Sequence, residues 1–282
     1  MSMLKLSRTV VLLLACAAIL PATGCARNRV KSDTTYVARD VSTLYATAKR
    51  YMDWGNYETA AKLFDEVERQ HPYSVWARRA QIMSAFNYYL AQKYTDSISS
   101  AQRFLTIHPG NIEAPYAHYL IAMSYYQQIA DVTRDQAITQ QASDAFGELI
   151  RRYPESRYAA DARLKLDLIN DHLAGKEMEV GRFYQRSGNW LAATYRFRTV
   201  VDRFQTTSHT PEALERLVET YLALGIPDEA RKAAAVLGAN YPGTYWYKRA
   251  YTLMTRYRPR AAPEQPEPQP AAQPAAAAPT QG

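Results

Sequence analysis

Cysteine is scarce in this chain of 282 residues: there are two, Cys16 and Cys25. Cys16 lies inside an apolar run, so removal of that run would leave one thiol and no possible internal disulfide. Metal-ligand spacing is missing too. The five histidines, His71, His108, His118, His172 and His209, never pair with one another, with cysteine or with a carboxylate in a pattern such as H-E-x-x-H. There is no G-x-S-x-G elbow, no phosphate-binding glycine loop and no Cys–His pair. Acidic residues are spread over helix faces, where charge normally meets water. The chain therefore reads as non-enzymatic, with no metal and no cofactor beyond a covalent lipid argued below. Lysine and arginine form no cluster and no nucleic-acid motif stands out, which excludes nucleic acid as a partner.

Beyond an N-terminal run from Val10 to Leu20, helical patterning covers 41–256. That run follows Lys5 and Arg8, is too short to span a membrane as an anchor, and reads as a secretory signal over 1–24. Pro21-Ala22-Thr23-Gly24-Cys25 closes it. Small residues directly before a cysteine resemble a bacterial lipobox, with Ala22 where leucine is usual. On that reading Cys25 carries S-diacylglycerol and an N-acyl chain, three chains that hold the protein stably on a membrane. The other reading is ordinary signal cleavage with Cys25 left as a free thiol. Loss of Lys5 and Arg8 with the leader, two positive charges, lowers the formal charge from +7 to +5. An anionic envelope surface or an acidic protein patch complements that charge. Residues 25–40 form a lipidated linker. The stretch 257–282 is proline, alanine, glutamine and glutamate with little apolar bulk, and is expected to be a disordered tail.

What is abundant is a repeated helical hairpin. Gly55-Asn56-Tyr57-Glu58-Thr59-Ala60, then Phe64, then Pro72, is the second half of a tetratricopeptide repeat (TPR). The small residue lets two helices approach, the aromatic fills the space between hairpins, and the proline ends the second helix. With the proline at position 32 of 34, repeats fall at about 41–74, 78–111, 115–156, 174–207 and 211–244. The fourth ends in Gln205 instead of proline, and an extra helix over 157–173 precedes it. Tyr245 to Met254 is a capping helix. The expected fold is all-α: a right-handed superhelical solenoid over 41–256, because one hairpin cannot bury its own apolar face.

The inner groove of such a solenoid is lined by first-helix positions 2, 5, 9, 12 and 13. In the first three repeats these include Tyr45, Lys49, Arg79, Phe86, Tyr89, Tyr116, Tyr119, Met123 and Tyr126. An aromatic floor with a few cations suits an extended peptide rich in aromatic residues, with Arg79 or Lys49 available for a carboxylate. The alternative is that many of these tyrosines pack against neighbouring hairpins. The last two repeats place Met178, Arg182, Gln185, Arg186, Glu212, Glu215 and Glu219 at those positions, so the groove turns charged.

Three segments carry a wider resemblance: Leu44-Tyr45-Ala46-Thr47-Ala48 with Gly55-Asn56-Tyr57, Arg151-Arg152-Tyr153-Pro154-Glu155-Ser156-Arg157-Tyr158, and Tyr184-Gln185-Arg186-Ser187-Gly188-Asn189-Trp190. With the lipobox and the extra helix, the chain over 25–256 resembles the BamD (ComL) family. The resemblance implies a lipid-anchored protein on the periplasmic face of the outer membrane, within the barrel assembly (BAM) complex. It implies C-terminal repeats docked on the POTRA domains of BamA, contacts with other BAM lipoproteins, and N-terminal repeats that receive the C-terminal signal of unfolded outer-membrane proteins. By the same resemblance Arg196, six residues after Trp190, contacts BamA; read alone it is an exposed arginine in an i, i+4 pattern. The competing assignment for the same architecture is a periplasmic TPR lipoprotein that organises peptidoglycan or envelope-division enzymes.

Overall fold

Each hairpin begins with an apolar stripe that one helix cannot bury alone, and the chain reverses where a left-handed residue is available. A computed structural model describes residues 40–257, which hold eleven α-helices and no strand. The expected leader, the lipidated Cys25 with its linker, and the tail after Tyr257 lie outside the described residues. The helices are α1 (Val41–Asp53), α2 (Tyr57–Gln70), α3 (Val75–Leu90), α4 (Tyr94–Ile107), α5 (Ala114–Tyr126), α6 (Ala137–Arg152), α7 (Ala159–Arg186), α8 (Trp190–Arg203), α9 (Thr210–Ala223), α10 (Pro227–Asn240) and α11 (Tyr245–Arg256). Every helix packs on the next, and α1 with α3, α3 with α5, and α9 with α11 also touch, as expected of a solenoid. Among the described residues no helix is long and apolar enough to cross a membrane.

Four hairpins reverse in the same way. The backbone N–H groups of Asn56, Lys93, Asn189 and Ile226 each donate to the carbonyl of a position-11 tyrosine, Tyr51, Tyr88, Tyr184 and Tyr221, at 2.9 Å. This is a Schellman closure, which needs a positive φ at its turn residue. Gly55, Gly188 and Gly225 supply it at +76°, +73° and +76°, while repeat two uses Gln92 at +60°. Asn56 and Asn189 then cap the following helices by accepting from Thr59 N–H and Ala192 N–H.

The core runs down the stack. Phe64, Phe146 and Phe197 are fully buried between hairpins, against Ala60, Ala142 and Ala193 where paired helices cross. In repeat two the crossing residue is Ser97, whose hydroxyl donates to the Ala85 carbonyl at 2.8 Å, so its burial costs no unpaired polar group. At Gly181 an added Cβ would stand 2.5 Å from the Phe197 ring, which explains the absence of a side chain there.

One boundary differs from expectation. The extra helix and the first helix of repeat four are a single 28-residue helix, α7, with no break near residue 174. Leu173-Ala174-Gly175-Lys176 contains neither proline nor a capping residue, and one glycine costs only about 1 kcal/mol in a helix. Gly175 instead permits close contact: an added Cβ would meet the His209 ring at 3.2 Å and Val132 at 3.6 Å. Val132 belongs to the long α5–α6 connection, which Lys176 also holds by donating to the carbonyls of Thr133 and Arg134.

Candidate peptide-binding site

First helices converge on one cavity of about 710 Å³. Tyr45 of α1, Arg79, Ile82 and Phe86 of α3, and Tyr116 of α5 form its floor and wall, and Arg157 and Tyr158 close it from the turn that leads into α7. Tyr45 packs against Phe64 and Trp76, with ring centroids 5.2 and 4.8 Å apart. Phe86 and Tyr116 lie 6.4 Å apart, and Tyr116 stacks on Tyr158 at 5.3 Å. The mouth carries the exposed apolar side chains of Val75 and Ile112. Three cations, Arg78, Arg79 and Arg157, and one anion, Glu113, line it.

Of the groove residues expected from sequence, the fold brings Tyr45, Arg79, Phe86 and Tyr116 to this cavity. Tyr89 sits farther along, 6.0 Å from Tyr94, and its hydroxyl accepts from Gln127 at 3.1 Å. Tyr119, Met123 and Tyr126 pack on α6 and α7. Tyr119 stacks on Tyr158 at 5.0 Å and donates to Asp161 at 2.6 Å, while Tyr126 meets Phe146 and lies under the Lys165 ammonium. Lys49 is exposed and outside the cavity lining. Arg157 and Tyr158 were not expected in the site, because a repeat template has no position for an inserted helix. The turn Pro154-Glu155-Ser156 swings both back over α5.

Burial keeps these phenols protonated. It raises the Tyr45 hydroxyl above its usual range, with Arg79 opposing. Burial does the same at Tyr116, helped by Tyr158, and at Tyr119, helped by the Asp161 hydrogen bond. The cavity thus offers neutral donors and rings beneath permanent arginine charge.

The second half of the solenoid is charged, as its groove positions suggest. Arg182 reaches Glu179 and Glu212, Arg216 reaches Glu212 and Glu219, and Arg249 of α11 bonds Glu215 at 2.7 Å. Met178 is the exception and lies in the core. Arg196 projects from α8 and pairs with Glu177 of α7 at 3.1 Å, an interhelical contact rather than an i, i+4 pair. No group of three or more His, Cys, Asp or Glu side chains among the described residues could hold a metal ion.

Stacked hairpins around a cationic, aromatic cavity define a helical-repeat scaffold protein that acts by binding. The profile of the family described as "YfiO: Outer membrane lipoprotein" matches residues 37–237. The chain is 51% identical over 231 residues to the outer membrane protein assembly factor BamD of Caulobacter vibrioides, covering 82% of this chain and 76% of the relative. It is 42% identical over 255 residues to BamD of Rickettsia prowazekii, covering 90% and 100%, and 32% identical over 235 residues to BamD of Neisseria meningitidis serogroup A, covering 79% and 88%. The chain belongs to the YfiO/BamD family. It is a scaffold of this kind and not an enzyme.

Proposed function

We propose that this protein is an assembly factor for outer-membrane proteins, part of the BAM complex, that captures unfolded barrel proteins by their C-terminal signal and docks on the POTRA domains of BamA. The observation that carries the capture step is the cavity over Tyr45, Phe86 and Tyr116 with Arg79 and Arg157 at its edge. A terminal aromatic side chain fits the apolar floor, and the free carboxylate after it meets a guanidinium, a pairing with strong charge-assisted hydrogen bonds. In this reading Cys25 is lipidated and keeps the solenoid on the periplasmic face of the outer membrane beside the other BAM lipoproteins, and the cavity faces arriving chains.

The test is direct binding of a peptide ending in phenylalanine with a free carboxylate. Phe86→Ser with Arg79→Glu is the informative variant, since Tyr119 holds Asp161 and its loss would disturb packing. Affinity should fall at least tenfold, about 1.4 kcal/mol, and amidation of the peptide should cost part of that. Unchanged affinity in a folded variant would sink the capture reading.

Docking on BamA runs through Arg196. Its exposed pair with Glu177 contributes about 0–1 kcal/mol to stability, so the side chain is available to a partner. In a mild-detergent pull-down, Arg196→Glu should lose BamA while Glu177→Gln, which breaks the same pair, retains it. Retention of BamA in both would remove Arg196 from the interface.

A further inference from the structure

The continuity of α7 leaves one of its faces without the helix that a repeat would supply. In each hairpin a first helix is covered by its own second helix. The second half of α7 has α8 in that role, but the first half, residues 159–173, runs straight on into the second. Its inward side, Ala162, Ile169 and Leu173, packs with Ala142, Phe146 and Leu149. Its outward side carries Leu164, Asp167, Leu168 and Asp171, spaced i, i+3, i+4 and i+7 on one stripe. Leu164 and Leu168 are 66% and 59% exposed.

This stripe is the wall of a groove. On one side a cavity of about 520 Å³ lies between Leu164, Asp167, Leu168, Asp171 and the Thr206-Thr207-Ser208 turn. On the other side of Leu168 a second, of about 310 Å³, is bounded by Tyr126, Ile129 and His172. The charge is acidic. Asp171 accepts from the Ser208 N–H and hydroxyl and faces His209 at 3.8 Å, so it is held in place. Asp167 is exposed and has no ion-pair partner among the described residues. Two cations on the same helix lie near: Lys165 is engaged by Asp161 at 3.4 Å and by the Tyr126 ring, and Arg163, one turn before Asp167, donates to the Pro154 carbonyl at 3.2 Å.

We propose that this face is a second docking surface, distinct from the aromatic cavity, for an amphipathic helical segment of a partner protein bearing Lys or Arg beside its apolar residues. Leu164 and Leu168 seat the apolar side chains in the place of the missing helix, and Asp167 and Asp171 pair with the cations. Helix-in-groove recognition of this kind seats apolar anchors of the docking helix at i, i+3 and i+4, a repeat of about one turn, and Leu164 and Leu168 stand one turn apart on the wall.

The test uses the full-length chain and a synthetic Leu/Lys amphipathic peptide of three to four turns, with the charge-reversed Leu/Glu peptide of the same pattern as the comparison. The Leu/Lys peptide should bind with an affinity that falls as salt rises. Leu164→Ser with Leu168→Ser should weaken it at least tenfold, and Asp167→Lys several-fold. Neither replacement touches the core, and a thermal melt checks that each variant folds. Phe86→Ser, in the aromatic cavity, should leave it unchanged, so the two sites fail independently. Equal binding of the Leu/Glu peptide, or no effect of the leucine pair, overturns the proposal. A photo-cross-linker at position 164 in native membranes identifies the occupant. A cross-link into a Lys- or Arg-bearing apolar segment of another protein supports the proposal. A cross-link into a second copy, or into residues 258–282 of the same chain, assigns the face to self-association or to the tail and overturns it.

Discussion

At the residue scale the fold depends on a few positions where size or backbone conformation leaves no choice. Gly181 is the tightest. Glycine in mid-helix costs about 1 kcal/mol relative to alanine, so propensity alone predicts that Gly181→Ala stabilises α7. Packing predicts the reverse, because the new Cβ would stand 2.5 to 2.9 Å from three carbons of the fully buried Phe197 ring. Overpacking a closed core typically costs 1–3 kcal/mol, which outweighs the propensity gain. Urea denaturation should therefore show Gly181→Ala to be less stable, by up to about 2 kcal/mol. A neutral or stabilised variant would mean that Phe197 has room to move and that the crossing is not close-packed. Gln92 is the opposite case: its φ of +60° sits in a turn that glycine occupies elsewhere, and the solenoid tolerates the mismatch because the side chain points to solvent.

At the scale of elements the ends of the second helices are nearly uniform. The residues before the closing position, His71, His108, Tyr153, Phe204 and Tyr241, have φ between −128° and −134° and ψ between 42° and 58°. In four of them the next residue is proline; in repeat four it is Gln205, which follows Phe204 in nearly the same conformation as the residues before the prolines. Gln205→Pro should then stabilise the protein by about 0.4–1 kcal/mol by restricting the unfolded chain, seen as a higher melting temperature. A loss of stability would show that the Gln205 N–H or its φ is used in a way the other repeats do not share. The last helix is held differently. Glu215 is fully buried, and burial raises its carboxyl above the ordinary 4.5, with Arg249 and Arg216 opposing. Between its unfolded and raised folded values the native state holds more protons, so this residue's contribution falls as pH rises through that window. Glu215→Gln should gain on the native chain as pH rises above the ordinary 4.5 in paired urea titrations; a constant difference would mean that Arg249 and Arg216 cancel the burial. Most of this architecture was legible beforehand. The repeat phase set Phe64 between hairpins, and Phe146 and Phe197, eight residues before Pro154 and Gln205 as Phe64 is before Pro72, are buried with it because size and period determine burial together. The site was only partly legible: four groove residues meet in the cavity, but Tyr119, Met123 and Tyr126 turn to α7, and Arg157 and Tyr158 arrive from the turn that leads into it. Those shifts follow from one inserted helix whose packing no repeat position encodes.

At the scale of the molecule that same helix joins the two halves. A solenoid is stabilised mainly by nearest-neighbour interfaces, so its ends could unfold separately if one interface were weak. Here the extra helix that follows repeat three and the first helix of repeat four are one 28-residue helix, α7, and its middle is clasped by Val132 and His209 at Gly175 and by Lys176 on the α5–α6 connection. Unfolding of either half must break or fray this rod, which couples the aromatic cavity at one end to the charged repeats at the other. Gly175→Pro removes one helix hydrogen bond and clashes with the preceding turn, a cost of about 3 kcal/mol or more placed between the halves. Hydrogen exchange followed by mass spectrometry should then show loss of protection concentrated in α7 to α9, with α2 to α4 nearly unchanged. Peptide affinity at the cavity should stay within about twofold, because its lining ends at Tyr158, on the other side of the break. Equal loss of protection in both halves would mean that coupling runs through the side-by-side packing of the hairpins and not through the continuous helix. In that case a partner bound to repeats four and five could influence the cavity only by shifting the whole stack, and the rod would be a spacer.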